Sequence, residues 1–347
     1  MALRSINDLI GAGLIEPAQS SALNPVLASY AIAITPEMAE LIDRSDPDDP
    51  IRRQFVPSPE ELVSAPEERN DPIGDETFTP VRGIVHRYPD RVLLKPTHTC
   101  PVYCRFCFRR EVVGPDGAGN LSEAELASAL DYIRATPAIW EVIVTGGDPL
   151  VLSPRRLERL VQALDAIPHV RIIRFHTRVP VVQPGLINLE VLAALKAQTP
   201  VYVALHSNHP RELTPAARHA CRQLTDAGLT VISQTVLLRG INDNVETLAA
   251  LMRAFVELRI RPYYLHHPDL ARGTAHFRLS LAEGQALVRA LRGRLSGLCQ
   301  PTYVIDIPGG HGKSPAGQSY VTPLTDETEK ALVEDYQGRK HLYPSEG

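Results

Sequence analysis

The chain has 347 residues, 44% hydrophobic and 22% charged, enough for one large domain with a substantial core and too apolar for wholesale disorder. Lys and Arg number 36 against 40 Asp and Glu, a net charge of −4, so no basic excess points to nucleic acid. No run approaches the ~18 uninterrupted apolar residues of a membrane span. The N-terminus lacks a basic-then-apolar leader, which makes the cytoplasm the expected compartment and a membrane partner unexpected.

Residues 1 to about 45 carry short apolar helical patterns. From Asp46 to Pro80 the breakers Asp46-Pro-Asp-Asp-Pro, Pro57-Ser-Pro, Asp71-Pro and Thr79-Pro interrupt any long element. The first 80 residues therefore read as a helical and irregular N-terminal extension laid on a core. From Arg91 the pattern becomes regular. Apolar or β-branched runs at 91–94, 141–144, 171–175, 201–205, 230–236 and 262–265 alternate with helical periods at 122–134, 154–166, 188–197, 215–227, 244–258 and 281–292. Ser122 and Glu125 have capping-box spacing, and Gly228 stands where a helix would terminate. Strand–helix units in such a row predict an α/β fold with a parallel sheet, a barrel or partial barrel. The expected division is 1–80 for the extension, 81–300 for the barrel and 301–347 for a C-terminal segment and tail.

Ligand-binding groups stand at or just after every run: Cys100, then Gly146-Gly147-Asp148, His176 and Arg178, His206 and Asn208, Gln234, and finally His267 and Asp269. In parallel barrels the active site is built at the carboxyl ends of the strands, which favours an enzyme over water-facing polarity.

Five cysteines, three of them within eight residues, do not form a disulfide framework. Cys221 and Cys299 read as small buried apolar residues. In Cys100-x-x-x-Cys104-x-x-Cys107, three thiolates can hold three irons of a [4Fe–4S] cube and leave the fourth iron open. Structural clusters and structural zinc normally use four ligands, and zinc remains the alternative. Pro308-Gly-Gly-His-Gly-Lys313-Ser fails the phosphate-loop template because Ile307 occupies the first glycine position.

In this order along the chain, Arg87-Tyr-Pro-Asp-Arg91, Cys104-Arg-Phe-Cys-Phe-Arg-Arg110, Thr145-Gly-Gly-Asp-Pro149, His206-Ser-Asn-His-Pro210, Gln234-Thr-Val-Leu-Leu-Arg-Gly240 and Arg261-Pro-Tyr-Tyr264 resemble the motifs of the lysine 2,3-aminomutase family of radical S-adenosylmethionine (SAM) enzymes. The resemblance spans about residues 82–315. It implies a partial (β/α)6 barrel and a SAM-chelating [4Fe–4S] cluster on Cys100, Cys104 and Cys107. It also implies pyridoxal 5′-phosphate (PLP) on Lys313, and conversion of L-lysine to β-lysine through a PLP aldimine and a 5′-deoxyadenosyl radical. By the same matching, Tyr88 and Arg91 contact PLP, and Gly146, Gly147, Asp148, His206 and Gln234 lie near SAM. Arg109 would bind the substrate carboxylate, and Asp269 and Asp306 its ε-ammonium, an arrangement that disfavours an acidic substrate. An electron donor such as a flavodoxin or ferredoxin is implied.

The chain also departs from the family pattern. Phe106 stands where many free-lysine enzymes carry histidine and is closer to the branch supplying β-lysine to elongation factor P, whereas Asp306 and the glycine-rich turn are closer to the free-lysine enzymes. Asn244 replaces a zinc-binding cysteine of longer members, and their C-terminal cysteine cluster has no counterpart, so no zinc is expected and a homo-oligomer is left open. An aminomutase with a different amino acid substrate, and a structural zinc or iron–sulfur protein, also stay open.

Overall fold

The computed structural model describes residues 2–113, 119–324 and 330–344. Its main sheet has nine strands in strict chain order: β1 (Ile84–Tyr88), β2 (Arg91–Thr97), β3 (Glu141–Gly146), β4 (Ile172–Thr177), β5 (Val201–His206), β6 (Thr230–Val236), β7 (Arg261–His266), β8 (Thr302–Ile307) and β9 (Gly312–Pro315). Strands β2 to β8 are mutually parallel, with β1 and β9 added antiparallel at the edges. The expected α/β partial barrel is the one found. Its six anticipated strands are β2–β7, and the sheet runs on past residue 300 through β8 and β9. β8 is itself a β-branched run, Thr302-Tyr-Val-Ile-Asp-Ile307, whereas β9 is only four residues, with glycine at its start and proline at its end.

Four short helices open the chain, α1 (Ile6–Gly11), α2 (Ser20–Ser29), α3 (Pro36–Leu41) and α4 (Pro50–Phe55). The barrel helices follow as α5 (Glu123–Arg134), α6 (Pro154–Asp165), α7 (Val179–Val182), α8 (Leu189–Ala194), α9 (Pro215–Asp226), α10 (Val245–Glu257) and α11 (Leu281–Leu291). Ser122 and Glu125 form the anticipated capping box of α5. Gly228 follows α9 at φ +85°, a left-handed conformation that suits glycine. Asn244 caps α10 by accepting a 2.8 Å bond from the Thr247 N–H.

Side chains alternate across the sheet. Val92, Leu94, Val142, Val144, Ile173, Phe175, Val203 and Leu205 are shielded from solvent in one core that also takes in the helices. The opposite face presents His206, Gln234 and Tyr264, which are aligned across three strands and only partly buried. That inner face is the barrel lumen.

The N-terminal extension has no core of its own. Leu9, Ile34, Met38, Ile51 and Phe55 are fully buried in the same cluster as the strands, each worth about 1.5–3 kcal/mol relative to exposure. At the other end β10 (Val321–Pro323), β11 (Ala331–Glu334) and β12 (Lys340–Tyr343) make a separate antiparallel sheet. Among the described residues no helix is long and apolar enough to cross a membrane.

Candidate active site

Cys100, Cys104 and Cys107 lie on the loop leaving β2, half-buried and close enough to act on one another electrostatically. Burial is the main cause that raises all three thiols, Cys107 to about 11. The loop is fixed from outside the barrel. The Tyr103 N–H donates to Ala33 O at 3.0 Å and the Arg105 N–H to Gln54 O at 2.8 Å, both in the extension. The buried carboxylate of Glu61 accepts two 3.0 Å bonds from Arg105 Nε and pairs with Arg110 as well. The irregular arm is thus the clamp of the cysteine loop, a role its proline-rich composition does not reveal.

Gly146 and Gly147 end β3 directly beneath this loop. A Cβ on Gly147 would stand 2.2 Å from the Thr99 carbonyl oxygen, and one on Gly146, at φ +112°, 2.4 Å from that of Thr97. Their closeness to the chain leading into Cys100 explains the glycines. The Asp148 carboxylate is engaged within the protein: it accepts Thr177 Oγ1 at 2.7 Å, Arg178 N at 2.6 Å and Val179 N at 3.2 Å. It therefore shapes the turn through the backbone rather than presenting free oxygens. His206 donates its Nε2–H to Asn208 Oδ1, 3.2 Å away, and meets the Phe106 ring edge-on at 5.7 Å. Burial holds His206 neutral. Gln234 is its register partner on β6, facing the same lumen.

Across the lumen, β8 and β9 form a hairpin whose tip is Pro308-Gly-Gly-His. Asp306 and Lys313 are cross-strand partners, so the hairpin itself brings Lys313 Nζ to 2.8 Å from Asp306 Oδ1. The Tyr88 hydroxyl accepts from the Lys313 N–H at 2.7 Å, and the Arg91 guanidinium lies 3.8 Å from the Tyr88 ring centre. Gly312 is required here: at φ +86° its Cβ would come within 2.8 Å of the Tyr88 oxygen. Asp306 is half of an acidic pair. Burial opposes its ionisation, but His266 and Lys313 overcome it and hold the group well below the usual carboxylate range. Asp269 goes the other way, pushed up to about 7 by burial and then by the Asp306 charge. Of the adjacent histidines, His266 faces this pair, while His267 turns to the Tyr303 hydroxyl at 2.7 Å.

Arg109 completes the ring, near enough to Asp269 to influence it. Its Nε and Nη2 both reach Asp75 Oδ2, at 3.2 and 2.9 Å, and the same carboxylate pairs with Arg87 at 3.1 Å and Lys95 at 3.7 Å. Asp75 escapes sequence reasoning, since a single acid after Pro72-Ile-Gly in an irregular arm carries no periodicity. Its only signal is the glycine before it: a Cβ on Gly74 would meet Gly310 N at 2.7 Å, stitching the arm to the lysine hairpin. The anticipated residues thus gather around one lumen, the sulfurs and glycines on one side and Lys313, Tyr88, Arg91, Asp269 and Asp306 on the other.

A radical SAM superfamily model matches residues 94–252. An L-lysine 2,3-aminomutase from Clostridium subterminale is 42% identical over 310 residues, covering 89% of this chain and 74% of that one. The chain belongs to the lysine 2,3-aminomutase family of radical SAM enzymes. An L-lysine 2,3-aminomutase from Acetoanaerobium sticklandii is 40% identical over 93% of this chain and 78% of its own. A glutamate 2,3-aminomutase from Clostridioides difficile is 37% identical over 91% and 74%.

Aminomutases of this family are isomerases that use a [4Fe–4S] cluster, SAM and PLP, and the residues present fit all three. Among the described residues no three His, Cys, Asp or Glu side chains converge on a single ion. Three thiolates that bind three different irons of a cube have no need to. The buried His176 Nε2, close enough to Lys313 to be influenced by its charge, has no hydrogen-bond partner among the described residues, as a wall awaiting a polar ligand would leave it. Lys313, Tyr88 and Arg91 offer an amine, an aromatic face and a cation, the set that an aldehyde, a pyridine ring and a phosphate require.

Proposed function

We propose that this aminomutase acts on L-lysine, moving its α-amino group to the β carbon. The observation that carries this reading is the pair Asp269 and Asp306 facing the Lys313 ammonium. An amine is already the partner of Asp306 at 2.8 Å, and the ε-ammonium of a lysine substrate can take that place when Lys313 is occupied elsewhere. A glutamate side chain would meet like charge there and leave both acids unpaired.

When bound, the cluster and SAM supply hydrogen-atom abstraction, and PLP supplies the carbonyl to which the migrating amine attaches. The chain does the rest. Cys100, Cys104 and Cys107 hold the cluster. Gly146 and Gly147 leave room for the methionine end of SAM, with His206 and Gln234 on the adjoining wall. Lys313 tethers PLP through its amine, Tyr88 and Arg91 receive the ring and phosphate, and the Arg109 fork binds the substrate carboxylate. With the substrate fixed at both ends, the β carbon is confined between the two halves of the lumen, which also excludes groups that quench radicals. A low-potential donor of the flavodoxin or ferredoxin kind provides the electron.

The test uses Lys313→Ala and Asp306→Asn in anaerobically loaded protein. Lys313→Ala should keep its iron and lose both the PLP absorption band and turnover. Asp306→Asn should keep iron and PLP while KM for lysine rises about 10- to 100-fold, the scale of a hydrogen bond to a charged group. PLP retained and turnover normal in Lys313→Ala, or KM unchanged in Asp306→Asn, would contradict the assignment.

A further inference from the structure

Arg178 ends the turn after β4, beside one of the three cysteines. Its guanidinium is almost wholly buried, at 5% exposure. Nη1 lies 2.8 Å from Cys104 Sγ, and Nη2 bonds to Gln54 Oε1 at 2.5 Å and Glu212 Oε2 at 2.8 Å. The rings of Phe55 and Phe106 lie 4.7 and 5.5 Å from its carbon. Three segments therefore meet at the guanidinium, the cysteine loop, α4 and the segment after β5, while the Asp148 carboxylate fixes the Arg178 backbone by accepting its N–H at 2.6 Å.

A buried cation of this kind needs a reason, because desolvation opposes it. Glu212 is not a complete one. While its Oε2 accepts from Arg178, its Oε1 receives Gln54 Nε2 at 3.1 Å and the N–H groups of Asn208 and His209 at 3.0 and 2.9 Å. Its negative charge is thus shared among four donors, and the guanidinium keeps positive potential directed at the Cys104 sulfur. Among the described residues the Arg178 Nε has no hydrogen-bond partner.

We propose that Arg178 is a positioning residue that hydrogen-bonds the Cys104 ligand of the [4Fe–4S] cluster and raises the cluster's reduction potential, with Glu212 as the counterweight. The proposal rests on the cluster reading above. In the reduction, one electron from a low-potential carrier of the flavodoxin or ferredoxin class takes the cluster from the 2+ to the 1+ state, and no proton or covalent bond is exchanged at Arg178. The added negative charge falls on iron and sulfur beside a fixed N–H donor in a poorly solvated site. Donors to cluster sulfurs stabilise the more negative state, so the potential moves up.

The test compares full-length wild type, Arg178→Gln and Glu212→Gln after anaerobic loading. Iron and sulfide per chain are measured, and the 2+/1+ midpoint potential is read from an EPR-monitored titration with dithionite, without SAM. Arg178→Gln should shift the potential down, and Glu212→Gln, which frees the guanidinium from its counter-charge, should shift it up. A residue that merely held the loop would not produce shifts of opposite sign. Equal potentials in all three proteins, or shifts of one sign, would overturn the role of Arg178. If Arg178→Gln loads poorly, Glu212→Gln decides alone, with an upward shift in support and any other result against. Cluster loss from both variants would show an effect on loading only and would equally overturn the proposal. Absence of an iron–sulfur cluster from wild type would instead overturn the cluster reading itself.

Discussion

At the scale of single residues, the lumen works by setting charges against one another. Asp75 is the hub: one buried carboxylate pairs with Arg87, Lys95 and Arg109, and it fixes two of the Arg109 donors, leaving the other edge of the fork for the substrate carboxylate proposed above. Asp75→Asn should therefore raise KM for lysine about 10- to 100-fold, with a smaller effect on kcat, and Asp75→Glu should restore part of the loss. Steady-state kinetics on the three proteins check this. Asp269 contributes in the opposite way. Its folded-state pKa, about 7, exceeds the unfolded value of about 3.9. Its stabilising effect is therefore complete below the unfolded value and is lost as pH rises through about 7. Binding an ammonium requires the ionised form, so kcat/KM for lysine should fall as pH drops below about 7. Asp269→Asn should abolish turnover yet stabilise the fold at pH 8 by on the order of 1–3 kcal/mol. A thermal melt of the two proteins at pH 5 and pH 8 reads the difference, which should narrow at the lower pH.

At the scale of elements, what the sequence discloses and what it hides divide by range. The six strands β2–β7 and the capped helices between them are local patterns, readable to within a few residues. So are the cysteine loop and the glycine pair at the ends of β2 and β3. The ties that place them are not readable. Glu61 lies 44 residues from Arg105, and Gln54 lies 124 residues from Arg178, with nothing in either segment to announce a partner. The lysine hairpin is half visible: its glycines and Lys313 stand out, but the strand pairing that sets Asp306 opposite Lys313 does not. Two variants probe these ties. Glu61→Ala leaves Arg105 and Arg110 as buried unpaired charges and should cost about 3–5 kcal/mol, with iron per chain falling in parallel. Gly147→Ala places a methyl group against the backbone before Cys100 and should lower iron content while the melting temperature changes less than in Glu61→Ala.

At the scale of the whole molecule, the extension and the barrel make one cooperative body. Phe55 and Ile51 fill the barrel's core, Gln54 and Glu61 hold its cysteine loop, and Gly74 packs on its lysine hairpin. A chain beginning at Val81 should therefore fail to give a cooperative melt. In the proposed function, a single lumen lets the cysteine loop and the Lys313 hairpin serve one substrate with a cationic side chain. The measurement that tests this most directly is an anaerobic assay of the full chain with SAM, PLP and a reductant, on L-lysine and L-glutamate separately, with the isomeric products resolved chromatographically. β-Lysine should form from lysine, with at most a trace of product from glutamate; comparable or faster turnover of glutamate, or no β-lysine from protein carrying its full cluster and PLP, would contradict this.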